Sequence, residues 1–352
     1  MLIAIALTLL ANQTPIRVTP PEFVTAREPQ IAIDRDETVY VTYGMGDTSY
    51  VSVSTDGGLS YGPPFVVGSP GKLSLGMRRG PRIAARDGVL TVTAIYGNQG
   101  KGRDGDLVAF RSLDRGKTWS APVAVNSVSG SAREGLHAMA QAPNGTIVST
   151  WLDLRDKGTK LLLATSRDDG ATWSKNVVAY QSPSGTICEC CHPSLAFDKS
   201  GNLLILFRNS VDGARDMYLM STKTFQVFTP AVKLGQGTWV LQACPMDGGM
   251  LAVLPNGKVE TVWRREDTLY TSGGANPEVR IGIGRQPWIT ASSRGTYITW
   301  QSERSVMLAS PGEPARQISP EGLSPVVVAS PSGKTVIAAW TQKGVAAIRI
   351  SP

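Results

Sequence analysis

Along most of this chain, short runs in which apolar and polar residues alternate are divided by turns of Gly, Asp, Asn and Pro. That is the pattern of half-buried antiparallel strands joined by tight reversals. The runs come in a rhythm of four. An apolar first strand is predicted at 31–34, 82–86, 137–142, 194–198, 250–254, 288–291 and 326–329. A second, alternating strand follows and ends in an aromatic residue: Tyr43, Tyr96, Trp151, Phe207, Trp263, Trp300 and Trp340. A third strand is read at 51–54, 107–112, 161–166, 217–221, 269–272, 306–310 and 345–350, and a fourth at 65–68, 123–126, 177–180, 232–235, 279–283 and 316–319. The last unit has no fourth strand. The strand-like stretch 16–19 at the other end of the chain has no unit of its own and can supply it.

A repeat of this length means a solenoid or a propeller. The fold class expected is all-β: a seven-bladed β-propeller closed by an N-terminal outer strand, which removes the free edge an open array would leave. If the two short units at 263–340 form a single irregular blade, six blades result instead. One domain over 13–352 is expected, preceded by a leader at 1–12. Residues 2–11, LIAIALTLLA, form the apolar segment of a secretory signal, with Ala11 at a possible cleavage point. That places the protein outside the cytoplasm, secreted or periplasmic, with a membrane tether left open.

One turn recurs. Residues 112–119 read SLDRGKTW, 166–173 read SRDDGATW, and 54–61 read STDGGLSY. The Ser and Asp side chains serve nearby backbone amides, and the Gly takes the positive φ of a tight reversal. This S-x-D-x-G-x-T-W pattern resembles the Asp box of the sialidase-like (BNR-repeat) propellers, where it marks a hairpin remote from the active site. The resemblance spans nearly the whole chain as a repeat. The segments CECCHPSLAFD, RDMYL and ACPMDGG are similar to those of exported bacterial members.

In a four-stranded meander the Asp-box turns share one face with the turns between first and second strands. The opposite face receives the long connections 69–81, 127–135, 181–193 and 236–249, and long loops on a rigid scaffold are where function gathers. Arginines and carboxylates collect there. Arg79, Arg103, Arg155, Arg215 and Asp216 are candidate substrate-binding residues, able to fork a carboxylated sugar or simply to order the loops as ion pairs. The sialidase resemblance further implies an arginine in an R-I-P motif, two more arginines, and an aspartic acid that donates a proton. Arg27-Glu28-Pro29 stands at the first place, Arg208 and Arg264 follow the aromatic of their blades, and Asp47 lies in the first loop where the acid would lie. These four are the catalytic candidates. The family's tyrosine nucleophile finds no counterpart, since Tyr270 and Tyr297 fall within strands.

Three of the four cysteines, Cys188, Cys190 and Cys191, stand beside His192 on one such loop, and Cys244 stands on the next. In an exported protein these read as two disulfides. The other reading is a copper or zinc site completed by His192 and His137, with no cofactor otherwise expected. The balance of 35 basic to 28 acidic residues gives a charge of +7 and favours anionic ligands. No basic run tracks a phosphate backbone, so nucleic acid is not a partner. The function expected is binding or hydrolysis of an anionic, sialic-acid-like glycan at the channel mouth, with an exo-glycosidase of sialidase type if there is turnover. The alternatives are a disulfide-pinned scaffold for an envelope protein partner, and the metal-binding propeller.

Overall fold

The computed structural model describes residues 14–100, 102–273 and 277–350. The expected leader at 1–12 lies outside the described residues. Among these, every regular element is a strand, and the strands form seven separate antiparallel sheets arranged as the blades of a propeller. Blade 1 shows the pattern: Arg27–Ile33 innermost, then Val39–Met45, Thr48–Ser54 and Phe65–Gly68. Blade 7 is built from Leu323–Ala329, Val336–Thr341 and Val345–Ile350, and its outer strand is Ile16–Arg17 from the far end of the chain. Ile16 pairs with Ala347 and Arg17 with Ala346, and the Val18 amide donates to the Val345 carbonyl at 2.9 Å. The seven-bladed ring with its N-terminal closing strand is therefore the fold. The six-bladed alternative fails because Arg285–Ser319 makes one four-stranded sheet and Leu323–Ile350, with Ile16–Arg17, makes another.

The seven aromatics that end the second strands are all buried, Trp151, Tyr43 and Trp340 completely. They are wedges between blades. Trp151 of blade 3 shares a cluster with Ile95 and Leu107 of blade 2, and Trp263 of blade 5 with Leu204 and Leu206 of blade 4. Burying a side chain of this size contributes at least ~1.5–3 kcal/mol, so one such ring per unit gives the repeat its cohesion.

The Asp boxes close the face opposite the long loops. In the second box the Ser112 hydroxyl donates to Asp114 and accepts the Gly116 amide at 2.8 Å, while Asp114 also accepts the amide and hydroxyl of Thr118. Gly116, at φ 86, makes the reversal possible, and its carbonyl accepts the Trp119 indole N–H at 2.9 Å. From the same turn Arg115 reaches Asp36 of blade 1 at 2.7 Å, so the box ties neighbouring blades as well as its own hairpin.

Strand limits differ from expectation in two informative ways. The inner strands of blades 1, 6 and 7 start earlier, at Arg27, Arg285 and Leu323, because each carries a β-bulge before its regular portion. Blade 2 gains a short fifth strand, Lys72–Leu73, paired to Gly97 and Tyr96 above the regular inner strand.

Candidate functional site

The three bulges have one sequence in common. Each places a residue directly before a proline: Glu28 before Pro29, Gln286 before Pro287, Ser324 before Pro325. Proline donates no amide, so the ladder must skip there, and the skipped residue swings out of the sheet. Glu28, Gln286 and Ser324 hold φ values of 58°, 52° and 51°, as do Arg78 at 67° and Met246 at 55° in the equivalent connections of blades 2 and 5. Left-handed backbone at a residue with a side chain costs about 1–3 kcal/mol and persists where the surroundings impose it, most often at functional sites. Here all five sit at the top of the channel.

Their side chains and backbone form a collar. The Ser324 hydroxyl donates to Glu28 Oε1 at 3.1 Å, with Gln286 Oε1 3.3 Å away, and Glu28 Oε2 accepts the Arg78 amide at 3.2 Å. Arg78 Nη2 donates to the carbonyls of Gln286 and Pro325, and its guanidinium lies 4.9 Å over the Trp288 ring. Asp247 Oδ2 accepts the Gln286 amide at 2.7 Å and faces Arg264 Nε at 2.9 Å. Beside the collar opens a cavity of 530 Å³ whose walls include Arg27, Glu28, Asp247, Arg264, Arg285 and Gln286. Arg27 and Arg285 are exposed on the rim, whereas Glu28 and Asp247 are buried. Below it a 190 Å³ cavity in the channel is lined by Arg82, His192 and Trp288.

Burial dominates the electrostatics. Desolvation raises the Glu28 carboxyl despite the pull of Arg78 and Arg82, and raises Asp247 despite Arg264. The same cause lowers Arg78 and Arg82 to about 10. His192 is held far below its usual range by burial and then by Arg78, Arg82 and Arg208, so it is neutral. Asp247 Oδ1 and the Nε and Nη1 of Arg78 are buried without a protein partner. A carboxyl raised by desolvation in the cavity wall, with arginines on the rim, is a group that can take part in proton transfer beside a bound anion.

The sequence-derived candidates divide sharply. Arg27 and Arg264 line the cavity. Arg208 lies beneath, fully committed: it donates to the carbonyls of Asp247 at 3.0 Å, Arg264 at 2.8 Å and Arg215. Asp47 stands apart from the cavity wall, paired with Lys72 at 2.8 Å on a half-exposed turn. Arg79 donates to the Glu134 carbonyl, Arg155 clasps Asp153 through Nε at 2.8 Å and Nη2 at 3.0 Å, and Arg215 reaches the Leu241 carbonyl at 3.4 Å. Asp216 is buried and accepts the Trp239 amide, and Arg103 is exposed in its loop. Arg79, Arg155, Arg215 and Asp216 thus hold loop segments in place.

The expected metal set does not assemble as a whole. His137 is buried against Thr93, 3.1 Å from its hydroxyl, and His192 stacks on Trp288 with ring centroids 6.2 Å apart. Cys188, Cys190 and Cys191 converge within 4.8 Å of one another, and Cys244 lies near Cys190. All four cysteines are free thiols, with Cys188 Sγ 3.3 Å from Cys191 Sγ and 3.9 Å from Cys190 Sγ.

Glu28, Arg78, Asp247, Arg285 and Gln286 were not singled out from sequence. The signal available was the recurring proline: Glu28-Pro29, Gly80-Pro81, His192-Pro193, Gln286-Pro287 and Ser324-Pro325 all open an inner strand. A larger groove of 670 Å³ along the outer strands of blade 4 is lined mostly by apolar residues, with Ser221, Thr229, Gln236 and Lys233 among them.

Comparison with known proteins bears on this site through the fold. The BNR repeat-like domain family matches residues 50–234, more than half of the sequence. No curated protein matches. Among solved structures, a protein of unknown function from Dyadobacter fermentans DSM 18053 is 15% identical, with 86% of this chain and 96% of that one covered and a TM-score of 0.55. The alpha-L-arabinanase of Penicillium chrysogenum, complexed with arabinobiose, is 12% identical over 96% and 98% of the two chains, with a TM-score of 0.56. An ulvan lyase of polysaccharide lyase family PL25, bound to -[GlcA(1-4)Rha3S]-, is 12% identical over 96% and 94%, again at 0.56. At such identities the likeness is one of fold.

Proposed function

The chain belongs to the BNR repeat-like domain family, and from that premise we propose that its 530 Å³ cavity binds a carboxylated, sialic-acid-like glycan and hydrolyses its terminal linkage. The observation that carries the reading is Asp247: a buried carboxyl, raised by desolvation, whose Oδ1 has no protein partner, in a cavity rimmed by arginines. Arg27 and Arg285, exposed on the rim, supply planar donors that fork a carboxylate, and Arg264, held by Asp247 and the Pro245 carbonyl, adds its charge to the cavity wall. Arg78, beneath them, keeps two donor nitrogens unspent. Asp247 is the better proton donor to a leaving oxygen, because both oxygens of Glu28 are already engaged, one by Ser324 and one by the Arg78 amide. Glycosidases keep such an acid protonated near neutrality by burial. Two neighbours in fold, the arabinanase and the ulvan lyase, hold glycans, which supports a glycan over other small anions. The apolar run at 2–11, read as a secretory segment, supports a protein that works outside the cytoplasm, where such glycans are met.

The test is a panel of fluorogenic sialosides and uronosides read for turnover, with calorimetric titration of the matching free sugars. Turnover that Arg264→Ala and Asp247→Asn both lower by about a hundredfold or more is the result expected. Saturable binding without turnover removes the acid role of Asp247, and neither binding nor turnover overturns the reading.

A further inference from the structure

A second site lies under the top-face loops, in the segment Ile187–Pro193. Cys188, Cys190 and Cys191 are buried, and their three sulfurs lie within 4.8 Å of one another. The fold makes that convergence. The Cys188 amide donates to the Arg208 carbonyl at 3.2 Å and the Ile187 amide to the Thr159 carbonyl at 3.1 Å, so the loop is pinned at its start and then turns back on itself. Cys244, on the loop of the next blade, is close enough to Cys190 for their thiols to interact, and it is exposed on its outer side.

Four sulfurs around one ion have a characteristic spacing. With Zn–S bonds of about 2.3 Å in a tetrahedron, neighbouring sulfurs stand about 3.8 Å apart. Cys188 Sγ lies 3.9 Å from Cys190 Sγ and 3.3 Å from Cys191 Sγ, so a shift of a few tenths of an ångström completes three corners. A disulfide needs sulfurs at about 2.05 Å, and the arrangement here is of three thiols facing a common point rather than of two facing each other. The surroundings also suit a tetrathiolate. Four thiolates and one divalent ion carry two negative charges, and Arg208 and Arg215 are the cations whose charge acts on Cys188.

We propose that Cys188, Cys190, Cys191 and Cys244 bind one zinc ion, with Arg208 and Arg215 balancing the charge of the tetrathiolate. The ion displaces the four thiol protons and nothing is oxidised. His137 and His192 take no part. The site is structural, having four protein ligands and no open position. Its placement gives it a consequence: Cys244 leads directly into Pro245, Met246 and Asp247, which line the glycan cavity. Closing the fourth corner fixes the loop that carries Asp247.

The experiment uses the full chain, reduced and stripped with chelator, its thiols counted, then supplied with zinc and desalted. The expected result is one zinc per chain, a raised melting temperature, and, with cobalt(II) in its place, the intense visible bands of tetrahedral thiolate coordination. Cys188→Ser and Cys191→Ser lose the ion. Cys244→Ser, at an exposed position that leaves the fold intact, weakens retention against a competing chelator by tenfold or more, of the order expected for losing one of four ligands. Zinc well below one per chain in fully reduced protein overturns the proposal, as does stoichiometric zinc indifferent to all three variants. Uptake of copper(I) but not zinc overturns the assignment of the metal. Freshly purified protein with no free thiols overturns it in favour of disulfides.

Discussion

Arg208 is where two accounts of the top face part, and its replacement by methionine separates them. If Arg208 touches substrate, Arg208→Met removes binding and leaves stability alone. The structure instead spends the guanidinium on three backbone carbonyls, those of Asp247, Arg264 and Arg215, at a position 2% exposed. A hydrogen bond from a charged donor contributes about 1.5–3 kcal/mol. Three of them bracket about 5–9 kcal/mol, and returning a buried cation to water recovers several of those. Arg208→Met takes this donor from three carbonyls, so the net loss expected is about 3–5 kcal/mol, the range seen when one partner of a buried charged contact is removed. Arg208→Lys keeps the charge but cannot reach three acceptors in one plane, and it should fall between the two. Urea denaturation followed by tryptophan fluorescence measures this, with m unchanged as the sign that the denatured state is the same. A loss below about 1 kcal/mol in Arg208→Met would refute the reasoning, because bonds that are made must be missed. Glycan affinity measured on the same variants completes the separation: a positioning residue loses affinity in step with stability.

Other positions yield sharper single readings. Trp151→Ala should cost about 3–5 kcal/mol, and Trp151→Phe about 1 kcal/mol for the indole N–H given to Asp153 at 2.8 Å, both read by denaturant midpoint. In the second Asp box the hydroxyl and amide of Thr118 hold Asp114 down from 3.8 to about 2. A carboxyl lowered on folding contributes stability that is full above its unfolded value and disappears as the pH falls through the folded one, so Asp114→Asn should flatten the decline of melting temperature between those two values. Removing residues up to Thr19 strips the outer strand from Val345–Ile350 and should leave blade 7 open, seen as loss of amide protection confined to that blade. Asp247→Asn should lower turnover by about 10²–10⁴ while binding persists.

The ring was readable because its rules are local. A strand's alternation, the aromatic at the end of the second strand and the Ser-Asp-Gly-Thr-Trp turn are each set by neighbours a few residues away, and Trp151 or Asp114 behaves as its own segment dictates. Even the closing strand could be placed, since a unit short of one strand and a strand without a unit answer each other. The cavity followed different rules. Arg155 and Arg79 looked like ligand-holders because arginines in loops do, but each had a carboxylate or carbonyl partner that only the fold supplies. Asp247 and Arg285 acquire their meaning from blades that meet across the channel, and no spacing along the chain encodes that meeting. The prolines after Glu28, Gln286 and Ser324 were the nearest thing to a local sign. They report that the strand is broken at one place in several blades, which is where a propeller turns side chains toward its axis.

The pairing of Ile16–Arg17 with Val345–Ile350 bears on how the molecule comes to exist at all. The contact between Thr19 and Val345 spans 326 positions of sequence, so the clasp is among the last events available to a chain that emerges from one end. Until then blade 7 has an unsatisfied edge and blade 1 has no neighbour on one side, while the first residues wait without a partner. A propeller assembled in this order is an open fan for as long as it is being made. An unpaired strand edge is the feature other chains find most readily. In the finished ring the pairing of Ile16–Arg17 with Ala346 and Ala347 covers that edge of blade 7.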